Sequence, residues 1–214
     1  MWIPKNFLPD DAAVHELLTH QGASDLVTMT DQGLVSTVLP FEYAPTAGEH
    51  GALIGHMARA NDHWSRPVQG EAMVIVRGPE AYVTPTWYPT KAEHHRAVPT
   101  WNYITAHVYG DLVVHDDPDW VEDQIRRLTG RHEADSAEPW SVDQAPEKFL
   151  KGQLRGVVGI EVLISRVEAK FKLSQNQPAK NIEGVIAGLE DRSRADDAAV
   201  AAAVHAHNPH RATS

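Results

Sequence analysis

The sequence predicts a mainly β protein of the α+β class, a β-barrel with peripheral and C-terminal helices. Three observations carry that prediction. Between Asp25 and Lys172 most segments either alternate apolar with polar residues or are rich in β-branched and aromatic ones, as strands are. Helical spacing is confined to the two ends and to the stretch after Pro118. Glycine and proline pairs punctuate the strand-like runs, and no repeat or low-complexity linker separates them. The 214 residues therefore read as one main domain over 1–190, with a C-terminal helix and flexible tail over 191–214.

Taken in order, Asp10 is placed to cap a helix over Asp11–His20, where Val14, Leu17 and Leu18 fall on one face. Strands follow at Asp25–Thr30 and Leu34–Tyr43 around the turn Asp31-Gln32-Gly33, and at Gly51–Met57 and Glu71–Arg77. Asn61–Trp64 reads as a short helix or turn ending near Pro67. Gly78-Pro79 predicts a break, with the strand resuming over Ala81–Thr84. Pro85–Arg96 reads as a loop and Val98–His115 as one long or two shorter strands. Pro118 suits the first turn of a helix running to about Arg131. A second helix covers Ala145–Arg155, Val157–Lys172 is a strand, and Asn181–Leu189 and Asp196–Ala206 are helical. The tail His207–Ser214 reads as loose.

Composition excludes several function classes. Lysine plus arginine total 19 against 29 acidic residues, a formal charge of −10 that disfavours direct nucleic-acid binding. With no cysteine there is no disulfide, thiolate nucleophile, iron–sulfur cluster or cysteine zinc site, so a metal must use histidine, carboxylate, tyrosine or methionine. The longest apolar run, Ala198–Val204, falls far short of the roughly 20 residues of a membrane span. Met1-Trp2-Ile3-Pro4-Lys5 has no signal-peptide core, and a cytoplasmic protein is the expectation.

Four motifs concentrate the chemistry: Gly55-His56-Met57-Ala58-Arg59-Ala60-Asn61, Trp87-Tyr88-Pro89-Thr90-Lys91, Val98-Pro99-Thr100-Trp101-Asn102-Tyr103 and Lys172-Leu173-Ser174-Gln175-Asn176. With Ile3-Pro4-Lys5 and Gly184-Val185-Ile186-Ala187-Gly188-Leu189 they resemble the PaiB family, described as FMN-binding negative transcriptional regulators, over roughly residues 1–190. The resemblance implies a split β-barrel of the FMN-binding type, a homodimer, and a cofactor groove at the subunit interface. It also implies a choice of cofactor. One branch, the piperazate synthases, uses haem b to close N-hydroxy-ornithine by forming an N–N bond with loss of water. The alternative is an FMN-binding protein, a PaiB-like regulator or flavin-dependent oxidoreductase. The family's common histidine is replaced by Val38 in Ser36-Thr37-Val38-Leu39-Pro40, and another by Glu80 in Gly78-Pro79-Glu80-Ala81-Tyr82. Both changes point towards the haem branch, and Thr90 keeps the hydroxyl of the family's serine.

His56 is the candidate axial ligand, its other ring nitrogen held by an acceptor, while Gly55 lets a planar cofactor approach the backbone. Read from spacing alone, His56 fits a structural histidine bonded to a backbone carbonyl better than a ligand; the resemblance to a family with a haem-using branch brings the two readings level, and His107 stands in reserve. Arg59 suits a propionate or phosphate, because its planar fork pairs bidentately, or else a surface ion pair. Thr90 and Lys91, with Arg96 and His94, form a candidate anion cradle or are solvated loop residues. Trp87 and Trp101, with Tyr88 and Tyr103, are candidate cofactor walls, core or dimer contacts. Ser174 and Gln175 could hold a cofactor edge or a substrate, and Asn102 reads as a buried structural amide. Glu80 is the candidate to grip a substrate ammonium or move its proton, and is otherwise a surface acid.

Overall fold

The computed structural model describes residues 1–209. Six α-helices and seven strands occur among them: α1 (Asp11–Thr19), β1 (Ala23–Thr30), β2 (Gly33–Pro40), β3 (Glu42–Ala44), β4 (Ala52–Ala58), β5 (Ala72–Val83), α2 (Lys91–His94), β6 (Thr100–His115), α3 (Pro118–Glu133), α4 (Glu147–Leu154), β7 (Val157–Lys172), α5 (Ala179–Arg192) and α6 (Asp197–Ala206). The strands form one sheet in the order β2-β1-β5-β6-β7-β4-β3. No helix among the described residues is long and apolar enough to cross a membrane.

The residues fall into two compact units, one of 1–17, 77–106 and 168–209, the other of 18–76 and 107–167. In the second, β1 and β2 form an antiparallel hairpin registered Thr30↔Gly33 to Ala23↔Pro40, and β4 runs antiparallel to β7 with His56 opposite Gly159. Helix α3 packs on β4. Covered in this way, Ala52–Gly55 is buried on both faces, like a strand with cover on each side of its sheet. Leu26, Leu53, Val74, Val76, Val158, Ile160 and Val162 are fully buried, each removing enough apolar surface to contribute about 1.5–3 kcal/mol. In the first unit, Val185 and Leu189 of α5 and Val200 and Val204 of α6 are buried where these helices meet.

Three sequence expectations change. The strand beginning at Leu34 ends at Pro40, which has no N–H to extend a ladder, and β3 pairs instead with β4. Gly78-Pro79 does not break β5. A Cβ at Gly78 would stand 2.9 Å from Ile104, so the bare glycine admits its neighbour rather than ending the strand. The tail is anchored through Asn208, whose Nδ2 donates to Leu173 O at 3.1 Å and to Val204 O at 2.7 Å. Residues 210–214 lie outside the described residues.

Candidate functional site

In the unit of residues 18–76 and 107–167, His56 sits half-buried near the end of β4. Its Nδ1–H donates to Oε1 of Gln124 at 2.7 Å. Gln124 lies on α3 between Val121 and Leu128, on the helix face turned to the core, and is 0 % exposed. Its amide oxygen only accepts, so the bond fixes the proton on Nδ1 and leaves the Nε2 lone pair free for a metal. Gln124 Nε2 itself has no hydrogen-bond partner, the sole buried side-chain nitrogen or oxygen so placed among the described residues. A buried unmatched donor costs about 1–3 kcal/mol and calls for an explanation.

Two approaches to His56 are filled. Opposite it, Gly159 leaves room for the Trp120 indole, which would lie 2.2 Å from an added Cβ. Trp120 stacks on His115 with ring centres 3.9 Å apart, and His115 Nε2 pairs with Glu161 Oε2 at 2.7 Å. The space beside Gly55 holds Pro40 O and the Phe41 ring, 2.9 and 3.2 Å from where its Cβ would be. Gly55 thus admits its own chain's corner, and a planar cofactor must reach His56 from another side.

Arg59 follows on β4's far end. Its guanidinium pairs with Asp116, and its Nε donates to Arg155 O at 2.9 Å, so its fork is already engaged. The ion pair raises the Arg59 pKa and lowers that of Asp116, in both cases first through their mutual hydrogen bond. Both line a cavity of about 260 Å³ with Pro118, Val121 and Leu154. Val38 projects from β2 into solvent.

The other predicted residues lie in the unit of 1–17, 77–106 and 168–209. Thr90 and Arg96 share a cavity of about 210 Å³ with His94, Tyr88 and Asn181, while Lys91 is not among the residues lining it. Thr90 is buried. Its Oγ1 accepts from Asn181 Nδ2 at 2.9 Å, which leaves the hydroxyl proton available for donation. Burial pushes the Tyr88 phenol above its ordinary value, keeping it neutral. Trp87 clamps α5, where Cβ atoms at Gly184 and Gly188 would stand 2.0 Å from its carbonyl oxygen and 2.3 Å from its ring. The Arg192 guanidinium also lies over its ring, 4.9 Å away. Trp101 is 51 % exposed and meets Tyr82 edge-on at 6.2 Å. Ser174 and the fully buried Asn102 bond each other, Asn102 Nδ2 donating at 2.9 Å. Gln175 braces its own turn through Leu173 N and Phe171 O, each at 2.7 Å. Glu80 is exposed on β5.

Gln124 escapes motif reasoning because it stands 68 residues from His56. The available signal was a glutamine at the i+3 position of the stripe Val121, Gln124, Leu128, where the helical period demands an apolar residue.

A family model described as "Putative FMN-binding domain" matches residues 1–166. The "Protease synthase and sporulation protein PAI 2" of Bacillus subtilis is 28% identical over 194 residues, 89% of this chain and 90% of that protein. An uncharacterized Emericella nidulans protein, AN0679, is 31% identical over 66% of this chain and 67% of its own length. Among solved structures, the flavocytochrome Anf3 from Azotobacter vinelandii has a TM-score of 0.54 at 12% identity, over 76% of this chain and 67% of that one. The FAD and heme binding protein from Mycobacterium smegmatis has a TM-score of 0.54 at 15% identity, over 78% and 74%. The fold is the split β-barrel, and the chain belongs to the FMN-binding-domain family that includes the PaiB proteins.

Proposed function

We propose that the protein is a haem-dependent cyclase that forms an intramolecular N–N bond, converting N-hydroxy-ornithine to piperazate with loss of water. One observation supports haem above the rest: the bond from His56 Nδ1 to the buried Gln124 Oε1, which prepares Nε2 as a neutral imidazole ligand. The donor chemistry fits. The cavities beside Arg59 and around Thr90, of about 260 and 210 Å³, fall below the roughly 300–1,000 Å³ of small-molecule sites. The larger hollow of about 510 Å³ on α5 and α6 is lined by Glu183 and Glu190, which repel carboxylates and phosphates. A second copy is therefore proposed to complete the groove. The hairpin β1–β2 supports this, because Met29 and Leu34, opposite one another, and Val38 expose an apolar face on an edge strand.

When bound, haem supplies a Lewis-acidic iron that polarises the N–OH oxygen. The chain's own part is to position the substrate and handle its protons. The exposed Glu80 is proposed to hold the substrate ammonium and accept its proton. Thr90, with its hydroxyl proton free, is proposed to donate, and Lys91 to hold the substrate carboxylate. The reaction balances as one N–O bond broken, one N–N bond formed and one water released.

A second reading, an FMN-binding PaiB-like regulator or flavin-dependent oxidoreductase, is favoured by the family description itself. The absorption spectrum of the purified protein separates the two. A Soret band that disappears in His56→Ala is expected. A flavin spectrum, or a Soret band unchanged in His56→Ala, rejects haem ligation by His56. Incubation with N-hydroxy-ornithine should give a product lighter by one water.

A further inference from the structure

Lys170 is 8 % exposed on β7, yet among the described residues no carboxylate pairs with its ammonium. Lysine is almost never buried this far without an acidic partner. Its Nζ instead lies 5.2 Å from the Trp2 ring, 5.6 Å from Tyr103 and 6.0 Å from Phe7. Those aromatic faces attract the cation but bring no negative charge.

Lys172 stands two residues on, and by the strand period on the same face of β7. The intervening Phe171, with Ala169 and Leu173, is buried in the core, so the lysines project from the opposite face. The Lys172 ammonium donates to Thr100 Oγ1 and to Trp101 O, both neutral acceptors. Burial, then the neighbouring charge of Lys170, holds its pKa below the ordinary lysine value. Glu168, the acid on this face, has its carboxylate on the Met1 amino group. Among the described residues no carboxylate pairs with either of these two cations, although the chain as a whole carries ten more acids than bases.

We propose that Lys170 and Lys172 form an oxyanion-binding site, roofed by Trp2 and Tyr103, for the phosphate or carboxylate of a small molecule. Two ammonium groups from one strand face suit a group with several negative oxygens, and low local polarity strengthens the attraction. The site stands independently of the haem reading, because it is built from different residues and needs no metal.

The test uses full-length, cofactor-free protein with isotope-labelled lysine, titrated with inorganic phosphate and followed by the side-chain Cε resonances. Saturable shifts at Lys170 and Lys172 are expected, together with a rise in the Lys172 pKa as phosphate occupies the site. Lys172→Met should weaken phosphate by about tenfold or more, as loss of a charged hydrogen-bond donor does. Lys170→Arg should retain binding. Competition by FMN but not riboflavin would identify the anion as the cofactor's own phosphate. Phosphate binding that neither displaces would assign it to a separate substrate, and both results uphold the site. Absence of saturable shifts, or undiminished phosphate affinity by calorimetry in the folded Lys170→Met/Lys172→Met double variant, would overturn it and leave the aromatic residues as the sole support of Lys170.

Discussion

In the unit that contains α5, buried polar side chains from the motifs close on one another. Asn102 and Ser174 exchange hydrogen bonds, and Asn181 bonds both Thr90 and Gln177. In the unit that contains α3, Gln124 accepts from His56 and leaves its own nitrogen unmatched. The difference is local, because His63 in that same unit is bonded through both ring nitrogens, to Thr28 and Thr37 at 2.8 Å each. Saturated pairs are what a fold needs from its buried polar groups. An amide buried with a donor to spare is costlier than an apolar residue of the same shape, and the one bond that sets Gln124 apart from such a residue is the one to His56.

Five experiments would break or sharpen that contrast. Gly184→Leu should have the largest effect, because even a Cβ meets the Trp87 carbonyl at 2.0 Å. Loss of cooperative folding is expected by thermal denaturation, and a variant of native stability would sink the clamp assigned to Trp87. Asp197→Ala should cost on the order of 3 kcal/mol in urea unfolding, since Asp197 is 3 % exposed against Arg192 and its loss strands that guanidinium. The sign with pH follows: the bond to Arg192 lowers the Asp197 pKa, so this stabilisation is present above the ordinary carboxylate range and fades as pH falls through the depressed value.

Gln124→Met should change stability by no more than about 1 kcal/mol, because it removes the unmatched donor along with the bond to His56. The same variant should move the His56 proton between ring nitrogens, read by nitrogen NMR of the unloaded protein, and weaken haem retention. An unchanged tautomer would show that Gln124 does not position the ring.

His63 offers a smaller effect. Burial depresses its pKa, so its contribution is complete above the unfolded value of about 6.5 and declines as pH falls towards the folded one. His63→Gln should flatten the stability profile between about pH 7 and 5. Smallest of all, Asp116→Asn should leave the melting temperature nearly unchanged, since exposed ion pairs contribute little. A large loss there would make Arg59 a structural keystone.

Periodicity located the elements well where a single rule governed them. Val157–Lys172 alternates over much of its length and forms β7 over those same residues. Asp10 caps α1 as its position before the helix required, accepting from Ala13 N at 2.8 Å. The failures came where two rules competed. Gly78-Pro79 carries a turn signal, but a neighbouring strand needed the space of a missing side chain. The site residues divide similarly. His56 was visible through its motif, whereas Gln124 and Lys170 belong to no motif and differ from ordinary polar residues only in what surrounds them.

The order of residues by itself determined the strand and helix periods, the absence of thiol chemistry and the family, because each depends on local spacing or residue type. The tertiary structure alone decided that Trp87 clamps a helix, that Arg59 is engaged by Asp116, and that Gln124 orients His56. Those outcomes depend on which residues, distant in sequence, the fold brings together. Burial, which sets the cost of every unmatched polar atom, is a property of the folded whole.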